Sequence, residues 1–323
     1  MKIAVVILNW NGKQLLKQFL PSVRLYSNEA DVYVIDNASS DDSITFLQQN
    51  YPEIKIIRLD KNYGFAGGYN RGLAQIDADV YALVNSDLEV TSGWLQPVLK
   101  EFEKQSATAV IQPKIKDIKN RKKFEYAGAA GGFLDLFGYP YCDGRLLLEV
   151  EEDKGQYEHP KEIFWASGAC MFIRRPVFEQ LEGFDESFFA HQEEIDLCWR
   201  AQHKGYTVKY IPQSEVYHLG GASLHSQNPF KTYLNFRNNL MMLLKNLPVS
   251  MIFPVIFTRL LLDGLAGLFF LGQGKPRHLL AVIRAHFGFY GQIPALLRKR
   301  PERPVKEYYN TFSIFLKKLK PNA

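Results

Sequence analysis

Between Ile3 and Asp87 four short apolar runs recur, each released into a turn of polar residues or glycine, and this alternation restricts the fold more than any other feature. Ile3–Leu8, Val32–Ile35, Ile54–Leu59 and Val80–Val84 favour β-branched and small apolar residues and are too short for confident helices, so they read as buried strands. Lys13–Val23 has helical spacing through Leu15, Leu16, Phe19 and Leu20, with Pro21 disturbing its end. The polar turn Asp36–Asp42 opens a second helix, Ser43–Gln49, and a glycine-rich bend at Gly64–Asn70 leads into a third, Tyr69–Gln75. Strands alternating with helices at this spacing predict a parallel sheet built from right-handed crossovers. A helix at Trp94–Phe102 and a strand at Ala109–Gln112 continue it, so the fold class is α/β with a mostly parallel central sheet.

The alternation then fails. Lys114–Glu158 mixes glycine, aromatics and charges and reads as irregular, including the loop Gly128–Gly132. An apolar stretch at Phe164–Ile173, a helix at Glu193–His203 and a strand at Thr207–Ile211 follow. From Phe230 the chain is helical, with Leu234–Leu247 first and then Met251–Leu271, which is apolar apart from Arg259 and Asp263. The second length approaches a bilayer span, but two charges and Pro254 weigh against one. Arg259 and Asp263 are four apart and can pair on one helical face. Lys275, Arg277, Arg284, Arg298, Lys299, Arg300 and Lys306 follow among Phe, Tyr and Leu, so an amphipathic helix in the plane of a membrane surface is preferred. A helix packed on the catalytic domain is the alternative, and a single span at 251–271 stays open.

A chain of 323 residues, 46% hydrophobic and 23% charged, is long enough for one large α/β domain with an appendage, or for two domains, and is not a disordered one. The net charge of +5 is concentrated late, which by itself suits nucleic acid, an acidic partner or an anionic membrane. Beside an apolar helix the membrane is expected and nucleic acid is not. Cys142, Cys170 and Cys198 are scattered and odd in number, as in a reduced cytoplasmic protein with buried thiols. The apolar run after Met1-Lys2 is too short for a secretory signal, so the expected place is the cytoplasm, at the inner face of the membrane.

Chemistry gathers where the strands end. Asn85-Ser-Asp87 leaves the fourth strand at its carboxyl end, where open α/β sheets bind ligands. A carboxylate there suits a divalent cation held against a diphosphate; capping of a turn into Glu89–Trp94 is the plainer role. Asp36 faces the same crevice and can accept from a ribose hydroxyl or a pyrimidine N–H, helix capping being left to Asp41 and Asp42. The segment Gly64-Phe-Ala-Gly-Gly-Tyr-Asn-Arg71 lacks the dinucleotide-binding glycine spacing but brings backbone near a ligand and Arg71 near phosphate. Glu193, Glu194 and Asp196 fall at a helix start, where the dipole favours negative charge. Successive helical residues point about 100° apart, so Glu193 and Glu194 cannot share one role. One can face a pocket as general base, while Asp196 pairs with Arg200. His218 stands just past a strand, in His218-Leu-Gly-Gly-Ala-Ser223.

Ile7-Leu-Asn-Trp-Asn-Gly12, Val34-Ile-Asp-Asn-Ala-Ser-Ser-Asp41, Asn62-Tyr-Gly-Phe-Ala-Gly-Gly-Tyr-Asn70, Asn85-Ser-Asp87, Gln192-Glu-Glu-Ile-Asp-Leu-Cys-Trp-Arg200 and His218 together resemble the family 2 glycosyltransferases, most closely the rhamnosyltransferase-like branch. The resemblance runs in the family's order over Met1–Leu240. It implies a GT-A fold at 1–228, with a nucleotide-sugar half at 1–112 and an acceptor half at 113–228, before a helical basic region at 229–323. It further implies a nucleotide-diphospho-sugar donor, Mg²⁺ or Mn²⁺, and inversion at the anomeric carbon. Asp36 would hold the nucleoside, Asp87 the metal, His218 a further metal or diphosphate contact, and Glu194 the base position, with Glu193 and Asp196 completing the acidic set. Asn9, Asn11, Asn62, Gly64, Phe65, Gly67, Asn70, Arg71 and Asn85 would line the donor, while Trp165, Gly168 and the Gly128–Gly132 loop wall the acceptor side. Asn85 stands where the family's metal motif often has its first carboxylate, and Glu194 where the base is more often Asp. A basic apolar tail at the membrane makes a lipid-linked saccharide the expected acceptor.

Two rival readings remain at this level. A nucleotidyltransferase would want a glycine-rich basic loop after the first strand, which Asn9-Trp10-Asn11-Gly12 is not. A non-catalytic sugar-nucleotide-binding module would not need Glu194.

Overall fold

The computed structural model describes residues 1–220 and 228–319, so Gly221, Ala222 and Ser223 of the stretch after His218 lie outside the described residues. The first layer is β1 (Ile3–Asn9), α1 (Lys13–Tyr26), β2 (Asp31–Asp36), α2 (Ser43–Asn50), β3 (Lys55–Arg58), α3 (Gly64–Leu73) and β4 (Val80–Asn85). β5 (Leu88–Val90), α4 (Gln96–Lys104) and β6 (Thr108–Asp117) follow. Next come β7 (Gly132–Leu134), β8 (Pro140–Cys142), β9 (Arg145–Leu146), β10 (Glu149–Val150) and β11 (Lys161–Ile163). β12 (Cys170–Arg174), α5 (Arg175–Gln180), α6 (Glu193–His203) and β13 (Thr207–His218) complete the sheet, and α7 (Pro229–Asn246), α8 (Val249–Gly272), α9 (Pro276–Arg298) and α10 (Ile314–Leu319) end the chain.

The main sheet has the order β11-β13-β6-β12-β4-β1-β2-β3, with β5 also on β13. β1 pairs in parallel with β2 and β4, β2 with β3, and β6 with β13, while β12, β11 and β5 run antiparallel to their neighbours. Alternate residues of β1 enter opposite cores: Ala4 and Val6 meet Tyr69 and Leu83 on one face, and Val5 and Ile7 meet Leu16 and Leu20 on the other. The three cysteines are free and buried.

Several expectations change in contact with the fold. α1 runs through Pro21 to Tyr26 because Leu16, Phe19, Leu20 and Val23 are buried, so packing carries the turn that loses its N–H. Gly64–Asn70 is not a bend before a helix but the helix itself. Its glycines are needed for approach: a Cβ at Gly72 would sit 2.1 Å from Ile35 and one at Gly68 would sit 2.8 Å from Leu8. The segment after Asp87 is strand β5 rather than a capped turn, since β13 offers it an edge. β13 itself continues from Thr207 to His218, and a register shift between Ile211 and Glu215, beside Pro212, hid that continuity. Within 114–158, β7 to β10 form a small antiparallel sheet; strands of two or three residues leave no periodicity to read.

The C-terminal helices share the core. Leu240 to Leu244, Leu247, Phe289, Leu296 and Tyr308 belong to the same buried cluster as Val6, Leu83 and Trp199, and Tyr308 stacks on Trp199 at 5.3 Å. α8 has two faces. Arg259 and Asp263 are buried and paired at 3.4 Å, as their spacing predicts, and Arg259 also bonds Asn239 and the Phe137 carbonyl. Phe253, Phe257, Leu261, Leu265 and Phe269, each four residues on from the last, are exposed. The packed and amphipathic alternatives describe opposite faces of one helix.

Candidate active site

Parallel register carries the first residues to one edge. Asn9 pairs with Asp36 across β1 and β2, and Leu8 with Asn85 across β1 and β4, so Asn9, Asp36 and Asn85 come together where three strands end. Asn9 donates to Asp36 Oδ1 at 3.1 Å and to Ser39 Oγ at 3.1 Å, and the Ser39 N–H donates to Asp36 Oδ2 at 3.0 Å. Each carboxylate oxygen keeps further acceptor capacity. Asp41 does the local capping, accepting from the N–H groups of Ser43 and Lys13, whereas Asp42 makes no side-chain cap and pairs with Lys13. Asn11 is spent on the chain: its Oδ1 accepts from the Ser40 and Asp41 N–H groups.

The glycine helix is pinned from below. Asn37, buried and unassigned by the sequence, donates to Asn62 Oδ1 at 3.0 Å and to the Gly64 carbonyl at 2.9 Å, and accepts from the Tyr63 N–H. Asn62 Oδ1 also accepts from the Gly64 N–H. Arg71, which the sequence reading places near phosphate, is paired within the chain. Its Nη1 bonds Glu186 at 2.6 Å and its guanidinium lies 3.7 Å from the centre of the Tyr63 ring, because α3 turns that face toward the 184–186 segment. Asn70 is similarly engaged by the backbone of Phe184, and Gly67 sits under Arg71.

At the opposite lip, β5 and β13 bring Asp87 beside His218. Leu88 faces His218 in the ladder, and His218 Nε2 lies 3.1 Å from Asp87 Oδ1. Glu125, which the sequence reading missed, lies 3.5 Å from His218 Nδ1, and all three side chains are buried. No local pattern marks Glu125; only pairing of its N–H with the Ile115 carbonyl on β6 delivers it. Burial opposes a charge on His218, but Asp87 and Glu125 outweigh it and raise the imidazole to about 10. Among the described residues no group of three metal-ligating side chains is assembled. Asp87 offers a carboxylate, and His218 offers a ring nitrogen once its proton is released, as metal binding to an imidazole requires. A divalent cation fits such a pair if diphosphate oxygens and water complete its shell.

α6 supplies the acidic edge. Asp196 is fully buried and bonds Arg200 at 2.7 Å, Lys245 at 2.9 Å and Asn246 at 2.8 Å, so it is a tie between helices rather than a member of an open site. Burial opposes its charge, yet Lys245 and Arg200 hold its carboxyl below the usual range. Glu193 and Glu194 have no such partners. His191 Nε2, Gln192 Oε1, Glu193 Oε2 and Glu194 Oε2 are each buried without a hydrogen bond. Four successive side chains left that way mark a surface built to meet something polar. Burial raises the Glu194 carboxyl, and burial together with the Glu194 charge raises Glu193 further.

Glu194 also faces the sheet's end. A Cβ at Gly168 would lie 3.9 Å from Glu194 and 3.4 Å from Phe65, and the neighbouring Ala169 carbonyl accepts from the Asn85 N–H at 3.0 Å. Gly168, Phe65 and Glu194 therefore adjoin the strand that leads to Asp87. Trp165 closes one side, its ring lying against Gly132 and its Nε1–H bonded to the Phe133 carbonyl at 2.9 Å.

Comparison with known proteins bears on this arrangement. The description "Glycosyl transferase family 2" matches residues 4–182, and "Glycosyl transferase family group 2" matches residues 148–258. An N-acetylglucosaminyl-diphospho-decaprenol L-rhamnosyltransferase of Mycobacterium tuberculosis is 25% identical over 232 residues, covering 67% of this chain and 75% of that protein. The low-salt glycan biosynthesis hexosyltransferase Agl10 of Haloferax volcanii is 25% identical over 246 residues, 74% of each. Among solved structures, GalNAc-T7 with UDP, GalNAc and Mn²⁺ superposes with a TM-score of 0.61 at 18% identity, over 76% of this chain and 48% of that one. S. aureus TarS 1-349 superposes with a TM-score of 0.58 at 15% identity, over 93% and 83%. The fold is that of the GT-A glycosyltransferases.

Proposed function

This chain belongs to glycosyl transferase family 2, and from that premise we propose that it is an inverting, metal-assisted enzyme of the inner membrane face that moves a sugar to a lipid-linked saccharide. The observation that carries the catalytic part is Glu194, whose buried Oε2 has no partner and which adjoins Gly168 and Phe65 at the end of the parallel sheet. A non-catalytic binding module would have no use for an unpaired buried carboxylate held there, since such a group is costly.

Asp36 and Asn9 receive the nucleoside at the ends of β2 and β1. Asp87 and His218 would hold the cation, Mg²⁺ or Mn²⁺, which when bound would offset charge on the nucleoside diphosphate. Glu194 accepts the proton of the acceptor hydroxyl as that oxygen attacks the anomeric carbon from the face opposite the diphosphate. Burial raises its basicity toward the range useful near neutrality. Trp165 and Gly168 bound the side from which the acceptor enters.

The acceptor class rests on α8 and α9. Phe253, Phe257, Leu261, Leu265 and Phe269 on α8 and Leu280, Ile283 and Phe287 on α9 are exposed apolar residues, flanked by the exposed cations Lys275, Arg277 and Arg284. Apolar stripes rimmed by cations suit an anionic bilayer surface. α8 is also long and apolar enough to cross a membrane, but its buried Arg259–Asp263 pair fixes one face against the protein. A lipid-linked acceptor accords with the relative named as acting on a diphospho-decaprenol.

The test is turnover of a donor panel (dTDP-rhamnose, UDP-N-acetylglucosamine, UDP-galactose and GDP-mannose) by the parent and by Glu194→Gln. The variant keeps size and hydrogen bonding but cannot take the proton. Donor binding should stay close to parental while transfer falls by about two to four orders of magnitude. An active Glu194→Gln with an inactive Glu193→Gln would move the base to Glu193, and full activity in both would return the acidic edge to structure.

A further inference from the structure

The turn that aims Glu194 is held in an unfavourable shape, and the side chains holding it come from α7. Phe189 has φ 66° and ψ −59°, and the Ala190 N–H bonds the Phe188 carbonyl at 2.8 Å, forming the rare left-handed γ-turn. His191 at φ 70° and Gln192 at φ 75° are also left-handed, so three of the four residues before α6 occupy conformations costly for anything but glycine. Such geometry persists only where its surroundings over-determine it.

Asn238 provides that determination. It is fully buried, and its Nδ2 donates to the carbonyls of Phe188 at 2.9 Å, Ala190 at 2.8 Å and His191 at 2.8 Å. Two N–H bonds serve three carbonyls, which only a tightly folded turn can present together. Arg237 fixes the orientation of the amide, its Nε donating to Asn238 Oδ1 at 2.9 Å, while its Nη2 reaches the carbonyls of Ser187 and Phe188 at 3.1 Å each. The turn's other side is stitched to the glycine helix, where the Phe65 N–H donates to the Phe189 carbonyl at 3.0 Å. A Cβ at Gly64 would sit 2.8 Å from that carbonyl, so the approach tolerates no side chain.

We propose that Asn238, oriented by Arg237, is a positioning residue that clamps the left-handed turn at 189–192 and thereby sets where Glu194 points. The inference rests on the reading of Glu194 as base. It gives α7, a helix outside the sheet, a part in the transfer step distinct from binding the donor.

The experiment compares the parent, Glu194→Gln and Asn238→Ala in the full chain. The measurements are kcat with the panel donor that turns over fastest, calorimetric Kd for UDP, dTDP and GDP in Mn²⁺, and the thermal midpoint. Loss of activity in Glu194→Gln establishes the base first, so failure of that reading is seen separately from failure of the clamp. Asn238→Ala is expected to lower kcat about a hundredfold, the scale of a misplaced catalytic group, with nucleotide Kd unchanged. Parental kcat in Asn238→Ala overturns the proposal. A joint loss of kcat, nucleotide affinity and thermal midpoint overturns it too, because that is a general structural role. If Asn238→Ala does not fold, Arg237→Lys decides by the same criteria, since it keeps the charge but loses the fork that orients the amide and reaches the turn.

Discussion

Glu193 and Glu194 are adjacent, both lack partners for a buried oxygen, and both have raised carboxyls, yet they are not equivalent. Glu193 is the more enclosed, at 4% exposure, whereas Glu194 adjoins Gly168. A carboxyl raised on folding binds its proton more tightly in the native state, so its stability contribution is complete below the unfolded pKa and is lost as pH rises toward the folded one. Glu193→Gln should therefore be more stable than the parent at pH 8, by on the order of 1–3 kcal/mol, and equal to it near pH 4. Urea denaturation at the two pH values checks this; a variant less stable at both would show Glu193 to be a net stabilising group. Asp87 instead lies 3.1 Å from the His218 ring. Asp87→Ala should abolish the Mn²⁺-dependent part of nucleoside diphosphate binding, measured by calorimetry with and without chelator. If chelator leaves parental binding unchanged, the cation assignment is lost for Asp87 and His218 alike.

At the scale of elements, α8 presents two unlike faces. Its buried face carries the Arg259–Asp263 pair, with Arg259 also bonded to Asn239 of α7, and its exposed face is apolar. The inversion explains why the sequence pattern suggested both a membrane helix and a packed one. Exposed Phe257 and Leu261 touch the bilayer in the proposed arrangement, and each buried apolar side chain of that size is worth about 1.5–3 kcal/mol. Phe257→Glu with Leu261→Glu should then weaken flotation with anionic vesicles by more than about tenfold while leaving the thermal midpoint within a degree or two of the parent. Retained flotation would point to another contact surface. Cutting the chain after Asn246 is a poorer test, because Phe289, Leu296 and Tyr308 fill the core shared with the sheet.

Across the whole molecule, the buried ionic centre at Lys245 links the C-terminal helices to α6. Its Nζ lies 2.8 Å from Asp185 and 2.9 Å from Asp196, and both carboxyls are held low by Lys245 despite burial. Depressed carboxyls contribute stability above their unfolded pKa and lose it as pH falls through the folded one. Lys245→Met should cost about 3 kcal/mol at pH 7, the lower end for breaking a buried pair because Arg200 and Lys299 remain, and the gap to the parent should narrow in acid. Denaturation at pH 7 and at about pH 2, below the unfolded carboxyl range, measures both; a neutral substitution would mean the centre contributes no stability. Sequence alone determined what local chemistry and periodicity govern: the β1–β4 alternation, the start and end of α6, the pairing of Arg259 with Asp263, and the polar residues that end each strand. Those follow from spacings of two to four residues. Tertiary structure decided what depends on distant partners. β13 brought His218 to Asp87, β6 brought Glu125 to His218, Glu186 paired with Arg71, and α7 closed on the turn before Glu194. Each joins residues far apart in the chain, and no local spacing encodes a contact whose second half is set by the packing of another element.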